Sequence, residues 1–239
     1  MDALTLIGLA LAPGLAIVLY IYLKDKHERE PFFLLFISFL YGIVSTIVTY
    51  VIAWPFDAFI FFEAKSLYDQ FVYAFFKVGL IEELSKFIFI RFVLYKNKNF
   101  NEPFDGIVYA VMVGMGFATF ENFLYVFQYG VATGVLRMFT AVPAHAMFAV
   151  LMGYFLGKAK FIHNRELYYS VVALMVATIF HGAYDYFWFI SFVPGIWIGA
   201  IISLIIAFVF SRKAIRLHQQ ASPFLVAEKD QIDPTLKSD

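Results

Sequence analysis

Seven stretches of this chain are apolar for about 20 residues, the length a helix needs to cross the hydrocarbon core of a bilayer. They run near 4–23, 32–53, 71–94, 104–127, 134–156, 168–189 and 194–211. Lipid offers no hydrogen-bond partners, so such segments must satisfy their own backbone as helices. The expectation is therefore an all-α, polytopic transmembrane helical bundle of about seven spans. Composition agrees: 62% hydrophobic residues against 15% charged leaves too few charges to clothe a soluble domain. The formal net charge is zero, so no nucleic-acid partner is expected. With no cysteine, disulfides, thiolate metal sites and a cysteine nucleophile are all excluded. Residues 1–211 form the expected transmembrane domain. Residues 212–239 turn polar and read as a cytoplasmic tail, partly disordered.

Charge asymmetry orients the bundle. Lys24, Lys26 and Arg29 lie in the first loop, Lys96 and Lys98 in the third, Lys158, Lys160 and Arg165 in the fifth, and Arg212, Lys213 and Arg216 open the tail. The second loop holds Lys65, while the fourth and sixth hold neither lysine nor arginine. Basic residues on alternate loops place the N-terminus outside and the C-terminus in the cytoplasm. The first apolar run has its basic flank after it, which is the pattern of a spanning helix and not of a cleaved signal peptide. Residues 54–70, aromatic with scattered charges, suit an interfacial or re-entrant segment. No internal repeat is visible, so an inverted-repeat transporter has no support.

Ionisable groups inside a span cost several kcal/mol unless they have partners or face a cavity, which makes each a functional hypothesis. The third span carries Glu82, Glu83 and Lys86, the fourth Glu121 and Asn122, the fifth Arg137 and His145, and the sixth His181 and Asp185. At 1.5 Å per residue, Glu82 and His145 lie roughly 16 Å below the outer ends of their spans, Glu121 about 9 Å and His181 about 12 Å. Four helices thus bring acid or imidazole into one slab between the midplane and the outer surface. Glu82 and Lys86 share a helix face, as do His181 and Asp185. Pro143 removes a backbone hydrogen bond just ahead of His145, and Gly114, Gly116 and Gly182 permit close helix approach at the same depth.

Plainer readings stand beside these. A Glu–Lys pair can be structural glue, and one buried histidine is commonly a packing element. Asp105, at the start of the fourth span, reads as a helix N-cap. Arg137, near the outer boundary, reads as a snorkelling side chain. The joint convergence of Glu82, Glu83, Glu121, His145 and His181 is what favours function.

Carboxylates and imidazoles in a partly dry cavity are suited to activating water for amide hydrolysis. No Gly-x-Ser-x-Gly elbow and no His-Glu-x-x-His pair is present. Tyr184-Asp185 has no Gly-x-Gly-Asp partner for an aspartyl dyad. A glutamate-based or an unusual metal-based site remains. A zinc site would draw on Glu121, His145, His181 and Asp185, whereas a glutamate mechanism needs no metal.

The residues carry a resemblance. Asp25 with Glu28 through Pro31, Glu82-Glu83-x-x-Lys86, Phe104-Asp105-Gly106, Gly116 through Thr119 with Glu121-Asn122, Pro143-x-His145 and His181-Gly182-x-x-Asp185 run in order along nearly the whole chain. Together they resemble the PrsW family of bacterial membrane proteases, site-1 proteases that cut anti-sigma factors on the extracytoplasmic side. The wider superfamily includes the CAAX prenyl endopeptidases, to whose Glu-Glu and His-x-x-x-Asn/Asp motifs Glu82-Glu83 and His181/Asp185 are similar. Glu121 stands where the endopeptidases carry a histidine, and His145 is the residue available for that part.

The resemblance implies a multi-pass protein of the bacterial inner membrane that cuts a single-span membrane substrate, with a metalloprotease classification that makes zinc a candidate cofactor. In this reading Glu82 or Glu83 is the general base, Glu121 and His145 position water or bind metal, and His181, steadied by Asp185, stabilises the oxyanion. The resemblance favours Glu82 as base with Glu83 as partner of Lys86, whereas helix spacing alone favours the reverse. Lys86, Asn122 and Arg137 support the site. The alternative function is a proton- or cation-coupled transporter or channel, whose polar groups should extend through both halves of the membrane.

Overall fold

Every apolar run becomes helix in the computed structural model, which describes residues 3–59, 62 and 65–225, and no strand occurs among them. The chain order is α1 (Ala3–Lys24), α2 (Phe32–Phe59), α3 (Leu67–Val72), a π-helical segment (Tyr73–Leu80), α4 (Ile81–Phe92), α5 (Pro103–Tyr129), α6 (Val131–Phe139), α7 (Ala141–Phe161), α8 (Glu166–Phe189) and α9 (Ile198–Gln220). Six helical segments among the described residues are long and apolar enough to cross a membrane, with α6 and α7 together making one of them. The third expected span is helical from Leu67 to Phe92. It falls outside that apolar set because Lys77, Glu82, Glu83, Lys86 and Arg91 interrupt it.

The expected boundaries shift in three places. α2 continues past residue 53 to Phe59, so 54–59 prolong a span where an interfacial segment was expected, and 60, 61, 63 and 64 lie outside the described residues. The fifth span breaks at Thr140 (φ −123°, ψ −80°). Pro143 has no N–H for the carbonyl of Phe139 four residues back, so the ladder is interrupted there and Thr140 turns its hydroxyl to Leu136 O at 2.7 Å. α9 runs on to Gln220, carrying the first basic residues of the expected tail within a helix, while 226–239 lie outside the described residues.

The packing follows membrane logic, with small residues inside and large apolar ones outside. Along α9, Ala200, Ser203, Ala207, Ser211 and Ala214 are buried while Ile202, Ile205, Ile206 and Val209 face outward. α5 is the exception, buried on all sides from Phe104 to Thr119, with α1, α2 and α7 packed around it. Glycine makes those crossings possible. A Cβ on Gly42 of α2 would run into the carbonyl oxygen of Val113 on α5, and one on Gly116 into that of Phe39. This close contact fixes where α5 sits, and with it the position of Glu121 one turn beyond.

A test follows from that contact. Gly42→Ala should destabilise the protein by about 1–3 kcal/mol, because backbone cannot yield as a flexible side chain would. Gly8, which has open space within 4 Å, serves as the control. Gly8→Ala should leave the thermal unfolding midpoint in detergent unchanged or slightly raised.

Candidate active site

Four helices carry the polar residues to one place. Ile81–Phe92 supplies Glu82, Glu83 and Lys86, α5 supplies Glu121 and Asn122, α7 supplies His145, and α8 supplies His181 and Asp185, with Arg137 arriving from α6. The π-helical segment lies just ahead of Glu82 and packs against α8, where Gly182 makes room for Phe75. Its wider turn resets the rotational phase of the helix that follows, so the faces of Glu82 and Glu83 are not those a regular helix from residue 71 would give.

Glu83 is the most deeply held of the carboxylates. Its Oε1 accepts from Lys86 Nζ at 2.7 Å and contacts His181 Nδ1 at 2.8 Å. Lys86 also reaches His145 Nδ1 at 3.2 Å, lies 3.7 Å from Glu82 Oε2 and sits over the Phe117 ring. The other edge of His181 presents Nε2 to Asp185 Oδ2 at 3.2 Å and to Glu82 Oε2 at 3.8 Å. His145 Nε2 contacts Glu121 Oε2 at 3.0 Å, and Arg137 donates to the same oxygen at 2.6 Å. Arg137 also donates to Asn122 Oδ1 at 3.0 Å, and Asn122 Nδ2 ties the assembly to the backbone carbonyls of Leu9 and Ala10 on α1. The Phe148 ring stacks on His181 and fixes its plane.

These groups border a cavity of about 610 Å³. Glu82, Glu121, His145, His181 and Asp185 line it, together with Tyr50, Lys77 and Arg137, while Glu83 and Lys86 stand behind the wall. Glu82 Oε2 is buried and has no hydrogen-bond partner. Metal-donor atoms of Glu82, His145 and His181 all lie within 4.8 Å of one another. The closest gathering of donors is thus not the expected zinc set. Glu82 takes part, whereas Glu121 is engaged by Arg137 and His145, and Asp185 by His181.

Two residues are placed differently from expectation. Arg137 does not snorkel but closes an ion pair with Glu121 inside the bundle. Asp105 is not the N-cap of α5. Pro103 takes the first helical position, so the cap falls on Glu102, and Asp105 sits three residues into a capping box, accepting from the backbone N–H groups of Asn101 and Glu102 at 2.7 Å each.

A bundle of apolar helices enclosing a polar cavity of carboxylates and imidazoles is the architecture of an enzyme that hydrolyses bonds within the membrane. The profile of the PrsW family intramembrane metalloproteases matches residues 30–214. The protein named Protease PrsW in Geobacillus kaustophilus is 36% identical over 187 residues, covering 76% of this chain and 79% of the relative. Its namesake in Clostridioides difficile is 35% identical over 196 residues, covering 79% and 81%. The one in Bacillus subtilis is 33% identical over 182 residues, covering 76% and 81%. No solved structure matches the chain. The chain belongs to the PrsW family. It is a multi-pass bacterial membrane protein and an intramembrane peptidase.

The Arg137–Glu121 pair gives a stability test independent of catalysis. Arg137→Met leaves a carboxylate without its cation in a low-dielectric interior and should cost about 3–5 kcal/mol. Removing both charges, in Arg137→Met with Glu121→Leu, should recover most of that loss in chemical unfolding of the purified protein.

Proposed function

We propose that the chain cuts a single-span membrane protein, of the anti-sigma-factor type that its family resemblance implies, close to the extracytoplasmic boundary, in a seven-span bundle with its N-terminus outside. The observation that carries this reading is the polar cavity, about 610 Å³ in volume and walled by Glu82, Glu121, His145, His181 and Asp185 within an otherwise apolar bundle. A spanning helix hides its backbone in its own hydrogen bonds, so the substrate must unwind locally or offer its juxtamembrane stretch to reach that cavity.

The residues present fit a metal. Glu82, His145 and His181 offer one oxygen and two nitrogens, a donor set suited to zinc with a position left open. Held by these residues, zinc would supply Lewis acidity. His145 would release one of its present contacts, to Lys86 or to Glu121, to join the donor set.

Other roles follow from what holds what. Glu83 is a positioning residue, since it keeps His181 turned so that Nε2 faces Glu82 and the cavity. Glu121, its charge anchored by Arg137 and bordering the cavity, positions the attacking water. A second reading uses the same residues without a metal. Glu82, whose Oε2 is unpartnered, removes the proton, and His181, steadied by Asp185, donates to the oxyanion.

Reconstitution with a single-span substrate in liposomes tests the proposal. Glu82→Gln, His145→Ala and His181→Ala should each slow cutting by about 100-fold or more while leaving folded yield intact. New termini, mapped by mass spectrometry, should fall within roughly two helical turns of the outer boundary. Normal cutting by all three variants, or a cut near the cytoplasmic face, would sink it.

Metal removal separates the two chemistries. Prolonged chelation should abolish cutting and zinc should restore it. Full activity from protein that elemental analysis shows to be metal-free would select the glutamate reading instead.

A further inference from the structure

A second polar cluster lies far from the cavity. Asp105 and Glu121 are sixteen residues apart on α5, about 24 Å along its axis. Around Asp105 the α1–α2 connection folds in, bringing Asp25, Glu28 and Glu30, and the N-cap of α5 adds Glu102. Asp25 and Asp105 are 0% exposed, Glu102 1% and Glu30 3%. Five carboxylates therefore meet at one end of the helix, and four of them are almost wholly buried.

Among the described residues, Arg29 acts electrostatically on Asp25, His27 on Glu102, and Lys160 on Asp105 and Glu30. No described lysine or arginine comes close enough to any of the five to form an ion pair. Two of these cations also have other partners: Lys160 donates to the backbone carbonyls of Tyr95 and Asn97, and Arg29 lies over the Tyr22 ring. One oxygen of each carboxylate is buried with no hydrogen-bond partner, namely Asp25 Oδ1, Glu28 Oε2, Glu30 Oε1, Glu102 Oε2 and Asp105 Oδ1. The second oxygens of Asp25, Glu30 and Asp105 are used. Asp25 Oδ2 accepts from the Glu30 backbone N–H at 3.3 Å, Glu30 Oε2 from the Tyr109 hydroxyl, and Asp105 Oδ2 from two backbone N–H groups. Donor oxygens of Glu28, Glu30 and Asp105 all lie within 4.8 Å of one another.

We propose that this cluster is a binding site for a hard divalent cation of the Ca²⁺ or Mg²⁺ kind, held by Glu28, Glu30 and Asp105 with Asp25 and Glu102 beside them. The donors are all oxygens, the choice of hard ions over zinc or copper. Ligands at 2.3–2.6 Å put oxygens on opposite sides of Ca²⁺ roughly 4.6–5.2 Å apart, and those around Mg²⁺ sit closer. The spacing of these donors suits that span. Without a cation, buried like charges repel and must take up protons instead. The cation would pin the α1–α2 connection to the start of α5. This site is independent of the proposed catalytic centre and of any metal there.

The test uses the whole chain in nanodiscs of zwitterionic lipid, stripped with chelator and titrated with Tb³⁺ while exciting tyrosine. Tyr109, bonded to Glu30, is placed to sensitise the ion. We expect saturable luminescence of one ion per chain, displaced by Ca²⁺, and a thermal midpoint that rises with Ca²⁺. Glu28 is half-exposed, so Glu28→Gln should fold normally and weaken Tb³⁺ binding at least 10-fold. Glu82→Gln, at the catalytic cavity, should bind as the unaltered chain does. Absence of a saturable, Ca²⁺-displaceable signal would mean that the carboxylates share protons, and the proposal fails. It fails equally if Glu28→Gln binds undiminished, or if Glu82→Gln abolishes the signal.

Discussion

A carboxylate inside a bilayer persists only where something answers its charge, and the architecture is arranged around that requirement. Glu83 is answered by Lys86 one turn away on its own helix, and Glu121 by Arg137 from the next helical segment. The histidines then link the two pairs, His181 to Glu83 and His145 to both Lys86 and Glu121. A chain of contacts therefore runs from α8 through α4 and α7 to α5 and α6. Each member is held from two sides, which is how side chains are kept in place beside a cavity. Asn122 extends the chain to the backbone of α1.

Such a network tolerates little misplacement, and its precision rests on the backbone crossings of α5. Where α2 meets α5, Gly42 and Gly116 bring main chain against main chain. Where α5 meets α7, a Cβ on Gly153 would strike the carbonyl of Gly106. Small residues at both crossings leave α5 no rotational freedom, so the register of Glu121 against His145 is set by backbone contact and not by long, adjustable side chains.

The spans and the convergence of Glu82, Glu121, His145 and His181 were legible in the sequence because an ionisable group within twenty apolar residues stands out against its surroundings. What stayed hidden was geometry that no local pattern encodes. No residue type marks a π-helical turn, so the phase of Glu82 against Glu83 could not be settled by counting at 3.6 residues per turn from residue 71. Arg137 looked like a boundary residue because its partner is fifteen or sixteen residues away in sequence and adjacent only after folding. Asp105 was misplaced by three positions, since a proline at the first helical position moved the cap back to Glu102. The acidic α1–α2 connection was visible as a motif, but its burial against α5 was not, because loop carboxylates are ordinarily solvated.

The sequence distance between each acid and its cation also bears on how the chain enters the membrane during synthesis. Glu83 and Lys86 leave the ribosome three residues apart, and Glu121 is followed by Arg137 within the next helical segment. These two acids are thus released into lipid with a neutralising partner beside them or soon to follow. The imidazoles, which can enter uncharged, arrive later on α7 and α8 and form the long-range links. Neutral pairs are laid down locally first and joined afterwards, so the nascent protein spends little time with an uncompensated charge in hydrocarbon, although its finished site concentrates several.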